Sequence, residues 1–137
     1  MYLLDTNVLS DGMKKIPNES VAVWRKRYEG DSFISVISIE EMRIGQLMLP
    51  KGRRREALKN MIDEVLSSYI GSILSYGEYD AERCAKFHAF ALKNGRTPSL
   101  GDLMIAATAY IHNLIVVTRN VKDFDYLPIK VINPFEE

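Results

Sequence analysis

Near its start the chain reads Tyr2-Leu3-Leu4-Asp5-Thr6-Asn7, and this stretch decides the fold. Three apolar residues with strand character lead directly into Asp5, and the small polar pair Thr6 and Asn7 then turns the chain into a helical pattern at residues 8–13. The pattern predicts a buried first strand with an acid at its carboxyl end. Because ligands of open parallel sheets bind outside the carboxyl ends of the strands, Asp5 is expected to face a functional site.

Beyond this stretch, short β-branched segments alternate with longer segments of helical periodicity. This alternation favours a parallel sheet with right-handed crossovers and helices on both faces. The sequence therefore predicts an α/β fold, a three-layer α/β/α arrangement around a central, mostly parallel sheet, in a single domain that spans residues 1–137. The predicted strands are 2–4, 33–37, 72–76, 115–118 and 130–132, and the predicted helices are 8–13, 18–29, 38–49, 53–70, 79–94 and 99–113, with a helical turn at 121–124.

The composition excludes several classes of protein. A hydrophobic content of 47% argues against a disordered chain. The formal net charge is zero, so any affinity for nucleic acid must come from a local patch or a bound cation. Cys84 is the only cysteine, which excludes an internal disulfide and a thiolate metal cage. Without a signal-peptide pattern or an apolar run of about 18 residues, we expect a cytoplasmic protein with no membrane partner.

Three acids fall at predicted strand ends or at the helix starts that follow them, namely Asp5, Glu41 and Asp102. They are far apart in the sequence, but a parallel sheet would bring these ends to one edge. Clustered carboxylates repel one another, which raises their pKa values unless a cation neutralises them. Such oxygen ligands suit a hard divalent ion such as Mg²⁺ or Mn²⁺.

Each of these acids also has a purely structural interpretation. Ser38-x-x-Glu41 and Ser99-x-x-Asp102 both match a capping box, in which the acid satisfies a backbone amide at a helix start. Asp5 is alternatively the cap of the helix that follows it. The combination of all three at one predicted edge favours a site over three unrelated caps.

The segment Lys51-Gly52-Arg53-Arg54-Arg55 is the one dense basic run. Its simplest interpretation is a solvated helix start. The helix dipole disfavours cations at an N-terminus, so the alternative is a patch that contacts phosphate.

Four motifs occur in a characteristic order along essentially the whole chain. They are 4–8 (Leu-Asp-Thr-Asn-Val), 38–45 (Ser-Ile-Glu-Glu-Met-Arg-Ile-Gly), 102–109 (Asp-Leu-Met-Ile-Ala-Ala-Thr-Ala) and 117–124 (Val-Thr-Arg-Asn-Val-Lys-Asp-Phe), followed by the close at 132–135 (Ile-Asn-Pro-Phe). In these motifs the chain resembles the PIN domain family, and within it the VapC-type and FitB-type toxins of toxin–antitoxin pairs. The resemblance implies the PIN-like fold.

The resemblance also implies a Mg²⁺-dependent ribonuclease, with Mn²⁺ as a possible substitute. In such an enzyme Asp5, Glu41 and Asp102 would hold the metal, and the family pattern Glu-x-Arg-x-Gly selects Glu41 rather than Glu40. A carboxylate-held cation would lower the pKa of a bound water and offset charge in the transition state. The implied products are a 5′-phosphate and a 3′-hydroxyl.

The resemblance leaves the fourth position of the site open. The family commonly places an acid two residues after the Thr that matches Thr118, and here that residue is Asn120. Asp123 lies three residues further on and is expected to reach the same pocket from the next helical turn. Both are therefore catalytic candidates beside the three acids, with Asn7 and Thr118 as supporting residues that position them.

The expected partners follow from the resemblance as well. It implies an RNA substrate, a homodimer, and a cognate VapB/FitA-type antitoxin through which alone the complex contacts operator DNA. A helix or arm of the antitoxin would fill the groove beside the acids and offer them a basic side chain.

Two other functions compete with a nuclease. The chain is alternatively a dimerising subunit of a DNA-bound regulatory complex with weak or absent catalysis, an interpretation that Asn120 keeps open. The third candidate, an aspartyl-phosphate protein on a similar sheet, is disfavoured because Asp5-Thr6-Asn7 lacks the second acid of an Asp-x-Asp motif.

Overall fold

The structure is a computed structural model that describes residues 1–136. Across these residues the strands form one parallel sheet in the order β3-β2-β1-β4-β5, with β1 at its centre. The predicted α/β/α class is confirmed, and the sheet is wholly parallel. The strands are β1 (Tyr2–Leu4), β2 (Ser32–Ser35), β3 (Ile73–Leu74), β4 (Ile115–Val117) and β5 (Val131–Ile132).

Helices connect the strands and cover both faces of the sheet. Short 3-10 turns at Glu29–Asp31 and Val121–Asp123 complete the connections. No helix in the described part of the chain is long and apolar enough to cross a membrane. The α-helices are α1 (Thr6–Asp11), α2 (Glu19–Tyr28), α3 (Val36–Leu47), α4 (Arg53–Ser67), α5 (Glu78–Lys93) and α6 (Leu100–His112).

Two apolar cores lie on opposite faces of the sheet because successive strand residues point to opposite sides. Leu3 packs into the core that α5 and α6 cover, whereas Leu4 packs into the core that α1, α2 and α4 cover. Trp24 lies in this second core. Burial on both faces explains why β1 reads as an unbroken apolar run.

The second strand ends earlier than its β-branched run predicts. The predicted strand 33–37 stops at Ser35, and Val36 and Ile37 already belong to α3. Ser35 ends the strand because its Oγ accepts a hydrogen bond from the Ile37 backbone amide at 3.0 Å, which caps the helix. The cap therefore overrides the strand preference of the two residues that follow.

The register of the central strands places three residues at one level of the sheet edge. Leu4 pairs with Ile34 of β2 and with Val117 of β4. The next residue of each strand, Asp5, Ser35 and Thr118, therefore lies at the shared carboxyl edge. This edge is where the acids were expected to meet.

Candidate functional site

Asp5 follows β1 directly and caps α1. Its backbone amide donates to the carbonyl oxygen of Val117 at 2.9 Å, which extends the pairing of β1 with β4. Its Oδ1 accepts a hydrogen bond from the Thr6 backbone amide at 2.8 Å. This cap starts α1 at Thr6, two residues before the predicted start, because it satisfies an amide that the helix leaves free. Asp5 is thus a cap and also the acid at the centre of the edge.

Thr118 and Asn7 hold the second oxygen of Asp5. Asp5 Oδ2 accepts hydrogen bonds from Thr118 Oγ1 at 2.8 Å and from Asn7 Nδ2 at 3.2 Å. Thr118 Oγ1 in turn accepts from Asn7 Nδ2 at 3.1 Å and from the Asn120 backbone amide at 3.0 Å. These bonds fix the orientation of the buried carboxylate by joining the ends of β1 and β4.

Glu41 lies within α3 and reaches the site through Thr6. Because α3 begins at Val36 with Ser35 as its cap, the capping-box interpretation of Ser38 and Glu41 is wrong. Ser38 is instead buried inside the helix, with its Oγ 3.0 Å from Thr6 Oγ1. Thr6 Oγ1 also donates to Glu41 Oε1 at 2.8 Å. Thr6 therefore connects the start of α1 to the carboxylate of Glu41.

Asp102 lies in the first turn of α6, beside Glu41. Ser99 caps this helix, since its Oγ accepts a hydrogen bond from the Asp102 backbone amide at 3.2 Å. Gly101, the residue before Asp102, lets the Glu41 carboxylate lie close to the backbone of this turn. A Cβ at position 101 would lie only 3.3 Å from Glu41 Oε2. A glycine at this position thus lets the carboxylate on α3 lie against the start of α6.

The neighbouring acids contribute to raised pKa values at Asp5 and Asp102. Burial raises the pKa of Asp5, the hydrogen bonds from its threonine partners oppose that shift, and the charges of Glu41 and Asp123 add to it. Burial also raises the pKa of Asp102 to about 6, and the negative charges of the other three acids contribute in the same direction. Four carboxylates from distant parts of the sequence therefore share one electrostatic site.

Asn120 and Asp123 both follow β4, but they relate to the acids differently. The backbone amide of Asn120 bonds to Thr118, and the side chain of Asn120 is exposed. The carboxylate of Asp123 is also exposed, yet its charge raises the pKa of both Asp5 and Asp102. Asp123 is thus electrostatically coupled to the site that the three acids share.

The donor set is compatible with a hard divalent ion. Within residues 1–136, no three Asp, Glu, His or Cys side chains stand arranged as a ready metal-binding group. Mg²⁺ usually needs only one or two carboxylates, because it keeps several of its waters. Carboxylate oxygens that repel one another at one edge of a sheet satisfy that requirement.

The basic run lies at the start of α4, apart from this network. Gly52 precedes the helix with a φ of 154°, a conformation that favours glycine. Arg53 and Arg54 are exposed in the first turn, and Arg54 lines a groove that extends to Glu41. The solvated helix start predicted for this run is therefore observed, with one arginine facing the groove.

Sequence reasoning missed three contributors to the site. Thr6 and Ser38 were not expected to contact each other, and Gly101 was not expected to approach Glu41. Thr6 and Ser38 are small polar residues next to the predicted ends of strands, which was the available signal. Nothing in the sequence indicated the close approach at Gly101, because it depends on how α3 packs against α6.

The structure is a three-layer α/β/α fold with acids at the carboxyl edge of its parallel sheet. The chain belongs to the PIN domain family, whose model matches residues 2–130. Its sequence is 33% identical to toxin FitB of Neisseria gonorrhoeae over 139 residues, covering 100% of each chain. It is 34% identical to VapC ribonuclease Y4jK of Sinorhizobium fredii, covering 99% of each chain. The structure of FitAB bound to an IR36 DNA fragment has the same fold, with a TM-score of 0.89, 34% identity and coverage of 98% and 96% of the two chains.

Proposed function

We propose that this chain is a single-domain, divalent-metal-dependent endoribonuclease and the toxin of a type II toxin–antitoxin pair. The observation that carries the proposal is the shared electrostatic site of Asp5, Glu41, Asp102 and Asp123, in which the pKa of Asp102 is raised to about 6. Relatives that bear the names toxin and ribonuclease support the same function. Mg²⁺ is the proposed ion, and Mn²⁺ is expected to replace it.

Asp5, Glu41 and Asp102 are the proposed ligands of this ion. When bound, the ion would supply positive charge for the scissile phosphate and would favour ionisation of a coordinated water. Asp5 is held in one orientation by Thr118, Asn7 and the Thr6 amide, so its carboxylate is positioned before an ion binds. We assign the fourth position to Asp123 rather than Asn120, because its negative charge already acts on two of the other acids.

The proton state of Asp102 sets a lower pH limit for this site. With a pKa of about 6, its carboxylate is largely protonated at pH 5 and ionised above pH 7 in the protein without metal. A protonated carboxyl is a poor metal ligand, so metal binding is expected to release this proton.

A groove beside the acids is the proposed antitoxin site. It has a volume of about 710 Å³, opens at Thr6 and Glu41, and is bordered by Lys14, Lys15 and Arg54. The groove fits an amphipathic segment whose acidic residues meet this basic border and whose basic side chain reaches Glu41. Apolar side chains form its floor, among them Met13, Met42, Leu49, Leu58, Met61 and Ile62.

Substitution of Ala57 tests this groove directly. Ala57 is an exposed residue of α4 that lines the groove. In a co-expression with the product of the adjacent gene, Ala57→Glu is expected to abolish co-purification, while Lys86→Glu on α5 retains it. Equal recovery of the partner with both variants would rule out this groove as the antitoxin site.

A regulatory role without catalysis is the second candidate. Asn120 favours it, because an amide adds no negative charge where the family commonly has an acid. On this alternative the chain would act as a dimerising half of a DNA-bound complex, contacting operator DNA only through the antitoxin. The two candidates differ in one property, which is cleavage of RNA by the chain alone.

Cleavage of a mixed, structured RNA pool by the partner-free chain separates the candidates. Cutting is expected with Mg²⁺ or Mn²⁺, is expected to stop with chelator, and should leave 5′-phosphate and 3′-hydroxyl ends. Asp5→Asn is expected to lose activity, whereas Glu64→Gln on the exposed face of α4 should retain it. Cutting that survives in Asp5→Asn would reject the site, and no cutting under any condition would favour the regulatory role.

A further inference from the structure

Side-chain hydrogen bonds fix the backbone of Arg119 beside the acid site. It follows Thr118 directly, and its amide donates to Asn7 Oδ1 at 3.1 Å. Its carbonyl oxygen accepts a hydrogen bond from Asn133 Nδ2 at 3.4 Å. Since both peptide groups are held by side chains, the direction in which the Arg119 side chain leaves is set by the same network that orients Asp5.

The guanidinium of Arg119 lies over an aromatic ring. Its Cζ is 4.9 Å from the ring centroid of Phe135. The backbone amide of Phe135 is held by Asn133 Oδ1 at 2.9 Å, and Ser20 Oγ of α2 donates to the Pro134 carbonyl oxygen at 2.8 Å. The guanidinium and the ring are thus positioned together where β4 and β5 end, at the carboxyl edge of the sheet.

A cavity continues from this pair along α2. It has a volume of about 680 Å³ and is lined by Phe135, Tyr28 and Trp24, with the charged groups Arg27 and Glu19. This size and the mixture of aromatic and polar walls are typical of small-molecule sites. Arg27 and Glu19 line the cavity itself, and Arg119 borders it through the Phe135 ring. The aromatic walls and the two arginines favour a ligand that combines a flat ring with a negative charge.

We propose that Arg119, Phe135 and this cavity form a subsite for one nucleotide of single-stranded RNA, next to the scissile phosphate. Single-stranded RNA is recognised through bases that stack on aromatic rings or on arginine guanidinium planes, with cations on its phosphates. The subsite supplies both components, and its arginine directly follows Thr118, the residue that holds Asp5. This inference rests on the proposed ribonuclease function and adds to it a place where the substrate is held.

Trp24 offers a direct probe of binding, because it is the only tryptophan in the chain and it lines the cavity. Titration of the partner-free chain with a short single-stranded oligoribonucleotide, in chelator, is expected to give a saturable change in tryptophan fluorescence. Arg119→Ala and Phe135→Leu are expected to bind about tenfold more weakly, as expected for loss of a stacking partner. Phe135→Tyr should bind like the wild type, because it keeps the ring.

Arg83→Ala is the matched control. Arg83 lies over the ring of Tyr110 at 4.1 Å, on the face of the sheet that α5 and α6 cover, so its removal deletes the same charge and the same kind of contact. This variant should bind RNA like the wild type. Circular dichroism and thermal unfolding check that Phe135→Leu is folded, since Phe135 also packs against a core.

Cleavage kinetics distinguish a failure of this inference from a failure of the proposed function. In an active enzyme, Arg119→Ala should raise KM about tenfold with kcat nearly unchanged, because it contacts a nucleotide beside the reacting bond. Unchanged KM and unchanged fluorescence titrations in both Arg119→Ala and Phe135→Leu would overturn the subsite while leaving the nuclease intact. A fall in kcat with unchanged KM would also overturn it, and would assign Arg119 a role through Thr118.

Discussion

At the scale of single residues, Asp5 is a buried acid with three hydrogen-bond donors. They are the Thr6 amide, Thr118 Oγ1 and Asn7 Nδ2, at 2.8, 2.8 and 3.2 Å. These donors stabilise the charged form, yet burial and neighbouring charges still raise its pKa. Within residues 1–136 no basic side chain forms an ion pair with Asp5, so a bound cation would stabilise its charged form.

Replacement of Thr118 tests how much this orientation matters. Thr118→Val keeps the shape of the side chain but removes the hydroxyl that donates to Asp5. We expect a loss of about 1–2 kcal/mol in the free energy of unfolding, and a roughly 10- to 100-fold loss of metal affinity or activity. Thr118→Ser should recover most of both. Urea unfolding and RNA cleavage measure the two effects, and full activity in Thr118→Val would show that the hydroxyl is dispensable.

Asp102 gives a prediction about stability and pH. Its pKa in the folded protein is raised from 3.8 to about 6, so the folded state binds this proton more tightly than the unfolded state. The contribution of Asp102 to the free energy of unfolding should therefore fall as the pH rises from about 4 to 6. Asp102→Asn removes this carboxyl and should raise stability at pH 7.5 by about 1 kcal/mol, less than the full pKa shift implies because solvent screens a partly exposed group.

Thermal unfolding in chelator, followed from pH 4 to pH 8, measures this effect. We expect a higher Tm for Asp102→Asn at pH 7.5, by roughly 4 °C, and a smaller difference from the wild type at pH 4. Equal Tm values for the two proteins at both pH values would show that neither burial nor the neighbouring acids raise the pKa of Asp102 in the folded protein.

At the scale of secondary-structure elements, the helix starts decide where the acids lie. The capping residue of α6 was predictable, because Ser99 and Asp102 have the spacing of a cap. The start of α3 was not predictable from the sequence, because the apolar run of β2 continues into the helix and only Ser35 marks the boundary between them. Glu41 was nevertheless selected from its motif, although the cap proposed for it at Ser38 was wrong.

The contact between α3 and α6 leads to a prediction at Gly101. An added Cβ would lie 3.3 Å from Glu41 Oε2 and would displace that carboxylate, while alanine is otherwise favourable in a helix. Gly101→Ala should keep or slightly raise the Tm and should lower cleavage activity several-fold. Gly30→Ala is the control, since nothing lies within 4 Å of its Cβ position. If Gly101→Ala were as active as Gly30→Ala, the position of Glu41 would not limit catalysis.

At the scale of the whole molecule, the order of elements was predictable and the contacts between them were not. Alternation of strands and helices predicted the α/β/α class, and the apolar run before Asp5 predicted a buried first strand, which the structure places at the centre of the sheet. The strands predicted at 72–76 and 130–132 are longer than the observed strands Ile73–Leu74 and Val131–Ile132. Both are edge strands, which pair with a neighbour on one side only. The packing of Arg119 on Phe135 carries no sequence signal, since it depends on where β4 and β5 end.

The oligomeric state is a property of the whole molecule that the family resemblance predicts. We expect the partner-free chain to form a homodimer, with a mass twice the 15.6 kDa of one chain. Size-exclusion chromatography with light scattering measures this mass. A mass of one chain at all concentrations would contradict the prediction without affecting the proposed chemistry of the site.

Calorimetric titration of the partner-free chain with Mn²⁺ or Mg²⁺ tests the central claim most directly. The claim is that Asp5, Glu41 and Asp102, which are distant in sequence, together hold one divalent ion. We predict one binding site in the wild type and in Glu64→Gln, with affinity at least about tenfold weaker in Asp5→Asn, Glu41→Gln and Asp102→Asn. Wild-type affinity in all three variants, or equal weakening in Glu64→Gln, would contradict the claim.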